Sequence, residues 1–209
     1  MNIAVTQCCV HLPERDEYRD CLDRGMTRFL EACGFACLPM PTLVSDPAQW
    51  LRAAGIRGVL ISGGNDLAAL ADGDISPERD VLEHALLEIA EKQALPVFGI
   101  CRGLQIMAHH YGAHVVPVNG HAGRPHLVRG SLFEATVVNS YHNYGVFSHD
   151  MPARLRVLAR SEDGFVEAFC VSGLAQMAVM WHPEREKNFT DSDVALVGNF
   201  FRTGGSIPD

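Results

Sequence analysis

The sequence has no run of about 20 apolar residues, the length a bilayer-spanning helix requires, so nothing in it is expected to cross a membrane. It has no excess of positive charge either. Its 17 Lys and Arg stand against 25 Asp and Glu, a formal net charge of −8. The basic residues are also scattered, which excludes the electrostatic footprint of a nucleic-acid or membrane-surface binder. A disulfide framework is missing: the seven cysteines are odd in number and include the adjacent pair Cys8 and Cys9, which suits a reducing compartment. Zinc-type spacing is missing as well, since Cys33 and Cys37 have no second ligand pair at a suitable distance. His109, His110, His114, His121 and His126 crowd one span, yet none forms an HExxH-type pair, so no metal and no cofactor is expected. Met1 to Gln7 shows no basic leader with a long apolar core, and a cytoplasmic location is expected. Repeats, low-complexity segments and linkers are absent, so residues 1–209 are expected to form a single domain.

What is present is alternation. Residues 3–7 read as a strand. Tyr18 to Ala32 carries Leu22, Met26, Phe29 and Leu30 near helical spacing, with an end at Gly34. Strand 35–39, a short helix from Pro47 to Ala54 and a buried strand 58–62 follow, the last running into Gly63-Gly64-Asn65-Asp66. Ser76-Pro77 opens another helix as N-cap and first helical residue. Pro96-Val97-Phe98 is an apolar run, and Ile106 to Tyr111 a helix. Such alternation predicts an α/β fold, three-layered and flavodoxin-like, with a mostly parallel central sheet, because each parallel crossover must pass over the sheet. Short β runs at 114–117, 134–140, 154–159, 165–170 and 175–181 add a small antiparallel section in the C-terminal half, and a helix at 191–202 closes the chain.

Ligands of such sheets bind beyond the carboxyl ends of the strands, and Gly99-Ile100-Cys101-Arg102-Gly103-Leu104-Gln105 stands at one. A sharp strand-to-helix turn projects its central side chain past the sheet edge and needs small residues two positions either side, here Gly99 and Gly103. A Cys101 thiolate there would face the free N–H groups of a helix start. A structural glycine turn with an inert cysteine satisfies the same seven residues. A cysteine nucleophile also needs a base, an orienting group and oxyanion donors. His182 emerges from the strand ending at Trp181, and Glu184, two residues on, can reach back to its ring. Glu186 is the rival carboxylate. The N–H groups of Arg102 and Gly64 are the oxyanion donors expected. The polar and aromatic stretch Asn139 to Gly145 suits a small ligand, and a hairpin with surface tyrosines accounts for it too.

Three motifs in order, SGGN at 62–65, GICRGLQ at 99–105 and WHPE at 181–184, resemble the class I glutamine amidotransferase-like family over almost the whole chain. The resemblance implies a Cys101, His182, Glu184 triad that cleaves a γ-glutamyl amide through a thioester. It also implies substrate contacts from Asn65, Gln105, Ser140, Tyr141, His142 and Arg185. The Arg102 guanidinium is expected to add a cationic contact to an anionic leaving group, in a patch with Arg124, Arg129 and Arg185. Cys-Arg-Gly-x-Gln and Asn-Ser-x-His look like the stand-alone γ-glutamyl hydrolases rather than synthase-coupled glutaminases. SGGNDL, SPERD, NSYHNYGV and HPERE are most similar to the γ-glutamyl-CDP-amidate hydrolases of capsular polysaccharide modification, while γ-glutamyl-γ-aminobutyrate hydrolases share GICRG. Three alternatives stay open: that second hydrolase, a glutaminase serving a separate synthase, and an inactive binding protein on this scaffold. The implied partner is a small γ-glutamyl substrate, with no nucleic acid and no membrane, and a homodimer is allowed.

Overall fold

The computed structural model describes residues 1–70, 74–131 and 135–206. Its strands are β1 (Asn2–Val5), β2 (Cys8–Leu12), β3 (Glu17–Cys21), β4 (Ala36–Pro39), β5 (Ile56–Ile61), β6 (Val97–Ile100), β7 (Val116–Pro117), β8 (His126–Gly130), β9 (Thr136–Val138), β10 (Tyr144–Gly145), β11 (Leu155–Ser161), β12 (Val166–Val171) and β13 (Gln176–Val179). The helices are α1 (Arg24–Ala32), α2 (Pro47–Ala53), α3 (Pro77–Gln93), α4 (Arg102–His110) and α5 (Asp191–Arg202). Nine strands form one sheet in the order β4-β1-β5-β6-β13-β12-β11-β8-β9. The first five run parallel, and the remaining four pair antiparallel. The α/β architecture expected is therefore present, and the antiparallel section continues the central sheet instead of standing beside it.

Strand alternation explains the layers. Adjacent residues of a strand point to opposite faces. Phe98 packs edge-on against Phe200 of α5 at 5.5 Å, whereas a Cβ on the next residue, Gly99, would lie 2.8 Å from Gly103 and Met107 of α4. Helices α5 and α4 thus cover opposite faces, and the parallel strands between them are buried end to end in β6 and β13.

Two elements differ from the sequence reading. Helix α1 begins at Arg24, capped by the Asp23 side chain, which accepts from the Gly25 N–H at 2.7 Å. The residues before it, from Cys21 back to Cys8, form a hairpin in which β3 pairs with β2. Polar alternation in Glu17-Tyr18-Arg19-Asp20 is strand-like, and the turn closes through Asp16 at φ 48°. Helix α4 starts at Arg102, four residues before the expected Ile106. Gly34 ends α1 as expected, with φ 88° and the Phe35 N–H returning to Leu30 O at 2.9 Å. Pro77 stands at the first turn of α3, but Ser76 makes no side-chain cap. Glu134, the expected start of one β run, lies outside the described residues.

Candidate active site

Strand order assembles the site. Strands β5, β6 and β13 are consecutive in the sheet and parallel, so the residues after their carboxyl ends, Ser62-Gly63-Gly64, Cys101 and His182, meet at one edge. Neighbouring strands lie only about 4.8 Å apart. No sequence pattern states that β13, the last strand, returns beside β6.

Cys101 sits at φ 52° and ψ −103°, a conformation L residues avoid, and such strain costs about 1–3 kcal/mol. The surroundings hold it there. The Cys101 N–H donates to Val179 O at 2.8 Å. A Cβ at Gly103 would stand 2.2 Å from Ile61 O, so the helix after the cysteine packs on β5 backbone to backbone. The two flanking glycines are therefore required by close approach.

His182 is held from both ends. Its ring Nδ1 donates to Glu184 Oε1 at 2.6 Å, with both side chains buried. Its backbone N–H donates to Asn139 Oδ1 at 2.8 Å, and the Asn139 amide donates to His182 O at 2.8 Å. Asn139 also donates to Glu186 Oε1 at 2.7 Å, so Glu184 orients the ring and Glu186 does not. Burial opposes charge on the imidazole, but the negative Cys101 sulfur, its hydrogen bond and Glu184 outweigh burial and push His182 up to about 9.

The glycine turn faces this pair. A Cβ on Gly63 would lie 2.8 Å from His182 Cε1 and 3.7 Å from Cys101 Cβ. Gly64 adopts φ 101°, and a Cβ there would meet Cys8 Cβ at 2.6 Å. The N–H of Arg102 belongs to the first turn of α4, where backbone donors have no intrahelical partner. The Arg102 N–H thus follows Cys101 directly in the chain, the Gly64 N–H belongs to the turn that faces the pair, and Gly63 is the glycine position that touches the histidine ring.

The Arg102 guanidinium requires a correction. It is buried and paired with Asp80 and Glu83 of α3, so it cannot add the cationic contact or join the arginine patch expected. Arg79, equally buried, donates to Glu83 Oε1 at 2.8 Å, to Ser62 O at 2.6 Å and to Gly63 O at 3.0 Å. Thr6 Oγ1 donates to Glu83 Oε1 at 2.7 Å. Burial raises the Glu83 carboxyl, but Arg102 and Arg79 overcome it, and the net shift is downward. Two cations and two carboxylates thus tie the residue after the nucleophile to the carbonyls of the glycine turn.

Asn65 has a structural part of its own at the wall of the adjoining cleft. Its amide N–H groups donate to Cys9 O at 2.8 Å and Asp74 Oδ1 at 2.7 Å, so it fastens the β2–β3 hairpin to the turn. Gln105 is buried and donates to Tyr144 O at 3.1 Å. Ser140 is buried, and its hydroxyl has no partner among the described residues. Tyr141 is 47% exposed and lies edge-on to the His182 ring at 5.6 Å, with Arg185 stacked over it at 4.9 Å. Those two residues rim the site, and the partly exposed Arg185 guanidinium lies 3.8 Å from both Asp23 Oδ2 and Glu184 Oε1. His142 is buried, its Nδ1 directed at Tyr144 O at 2.9 Å, and burial lowers it to about 4. A cleft of about 1240 Å³ opens beside Gly64 and Asn65, walled by the hairpin and by Asp20, Asp74 and Glu78.

Residues 23–203 match the family described as glutamine amidotransferase class-I. A γ-glutamyl-CDP-amidate hydrolase of Campylobacter jejuni is 30% identical over 195 residues, 93% of this chain and 95% of the relative. A γ-glutamyl-γ-aminobutyrate hydrolase of Escherichia coli O157:H7 is 34% identical over 140 residues, 53% of this chain and 54% of the relative. The structure of a Thermoplasma acidophilum protein described as a GMP synthase subunit superposes with a TM-score of 0.72 at 20% identity, over 98% of this chain and 94% of that one, a likeness of fold alone.

Proposed function

The chain belongs to the class I glutamine amidotransferase family, and from that premise we propose that it hydrolyses a γ-glutamyl amide through a thioester on Cys101. The observation that carries this reading is Cys101 on its strained turn beside a His182 ring that Glu184 orients at 2.6 Å. The Cys101 thiolate attacks the γ-carbonyl carbon, and the developing oxyanion is met by the N–H groups of the glycine turn and Arg102. The His182 imidazolium gives its proton to the departing nitrogen as the C–N bond breaks. Water then attacks the thioester, His182 takes the water's proton, and glutamate and the Cys101 thiolate are released with the imidazolium restored.

For the leaving group, the relative matched over nearly its whole length points to a γ-glutamyl-CDP-amidate. Arg185 at the rim supplies the cation that the Arg102 guanidinium does not. A second reading, a small amine or ammonia as leaving group, is favoured by the carboxylates Asp20, Asp74 and Glu78 in the adjoining cleft. Arg19 in the same cleft is already paired with Glu17 at 2.6 Å. The test is one preparation assayed on γ-glutamyl-CDP-amidate, γ-glutamyl-γ-aminobutyrate and glutamine. We expect the highest kcat/KM for the CDP-amidate; a clear win for glutamine overturns the stand-alone hydrolase reading.

A further inference from the structure

Behind the Asn139–Gly145 segment four side chains from distant parts of the chain converge: His121, His126 on β8, His142 and Glu167 on β12. One ligand atom from each lies within 4.8 Å of all the others. Four of the six separations are tighter than that bound. His121 Nδ1 is 3.2 Å from His142 Nε2 and 3.8 Å from Glu167 Oε1. Glu167 Oε1 is 3.0 Å from His126 Nε2 and 3.7 Å from His142 Nε2. A tetrahedral zinc site with metal–ligand bonds of 2.0–2.1 Å has ligand–ligand edges of about 3.3–3.4 Å, and these four separations straddle that value.

Hydrogen-bond accounting points the same way. His121 directs Nε2 at the Asp163 carboxylate at 3.0 Å, and His142 directs Nδ1 at the Tyr144 carbonyl at 2.9 Å. Both partners are acceptors only, so each ring places its hydrogen on that outer nitrogen. The inner nitrogens, His121 Nδ1 and His142 Nε2, then face each other at 3.2 Å as two lone pairs. Either a proton on one of the two rings or a metal ion between them relieves that opposition, and only the metal ion also takes up the Glu167 carboxylate. Glu167, with its side chain 1% exposed, offers a carboxylate for which neither oxygen has a hydrogen-bond partner among the described residues. His126 Nε2 approaches it at 3.0 Å without hydrogen-bond alignment. A histidine whose second nitrogen is held by a carboxylate or carbonyl is also the usual outer shell of a metal ligand.

We propose that His121, His126, His142 and Glu167 form a closed, structural site for one divalent transition-metal ion of the zinc class. Three imidazoles and a carboxylate suit such an ion better than calcium or magnesium, which take oxygen ligands. With four protein ligands no position is left for substrate, so the ion holds structure and does not carry the chemistry. What it holds is the segment between Asn139, which grips the His182 backbone, and Tyr144, whose carbonyl receives Gln105. The expectation from spacing alone that no metal binds is reversed here, because Glu167 and His142 join His121 and His126 only in the fold.

The test uses the intact protein, stripped with a chelator and titrated with Zn²⁺ by calorimetry and with Co²⁺ by visible absorption. Saturable binding of one ion, a tetrahedral cobalt spectrum and a Tm that rises on adding zinc are expected. Glu167→Gln and His126→Ala should lose the site, Asp163→Asn should weaken it about 10- to 100-fold, and Cys101→Ala should keep it. No saturable binding by the wild-type protein, or a Tm indifferent to zinc and chelator, overturns the proposal. So does binding that disappears with Cys101→Ala and survives Glu167→Gln, since the ion would then sit on the thiolate. The wild-type titrations decide the matter even where a variant fails to fold, and none of these readings depends on hydrolysis.

Discussion

At the scale of single residues, the site depends on the charge state of His182. Its imidazolium persists to about pH 9 because Cys101 and Glu184 outweigh burial. If the imidazolium donates the proton to the leaving nitrogen, kcat/KM holds below that pH and falls as pH rises through it. Glu184→Gln removes one of the two stabilising charges, so the alkaline limb of the pH profile should move to lower pH; an unmoved limb contradicts this role for Glu184. Gly63→Ala places a methyl 2.8 Å from His182 Cε1, and the ring must shift. A displacement approaching 1 Å can cost about a hundredfold in rate, so kcat should fall on that order, while thermal denaturation shows a much smaller effect.

At the scale of elements, the question is how the turn that carries Cys101 keeps an unfavourable backbone. Two devices do so: the contact of Gly103 with the Ile61 carbonyl, and the buried set Arg79, Glu83, Arg102 and Asp80 that links α3, α4 and the glycine turn. Gly103→Ala forces α4 off β5, and overpacking of this kind costs about 1–3 kcal/mol; chemical denaturation should show the loss. Arg79→Met leaves Glu83 short of one cation and frees the Ser62 and Gly63 carbonyls. Breaking a buried pair from one side costs about 3–5 kcal/mol, and a variant as stable as wild type would contradict the role assigned to Arg79. The sequence announced the turn itself, because glycines two positions either side of a cysteine have a local steric meaning. It did not announce where the Arg102 side chain goes, because its partners Asp80 and Glu83 lie on another helix. The hairpin of β2 and β3 was hidden for a different reason: the helical spacing that begins at Leu22 extends back over residues whose pairing is decided by Cys8 to Leu12.

At the scale of the molecule, chain order and sheet order diverge, and function depends on the divergence. The last strand, β13, inserts between β6 and β12, which carries His182 and Glu184 to the edge where Cys101 projects. Motifs reveal that three segments exist, while the strand order explains why they meet. No helix among the described residues is long and apolar enough to cross a membrane. The central claim is that these segments make Cys101 the nucleophile for a γ-glutamyl group. The direct test is mass spectrometry of the intact protein after exposure to a glutamine-like electrophile such as a diazo-oxo-norleucine analogue. The account predicts a single adduct on Cys101, absent in Cys101→Ala and strongly slowed in His182→Ala, with the other six cysteines untouched. An unlabelled Cys101, or labelling spread across the partly exposed cysteines at equal rates, would contradict it.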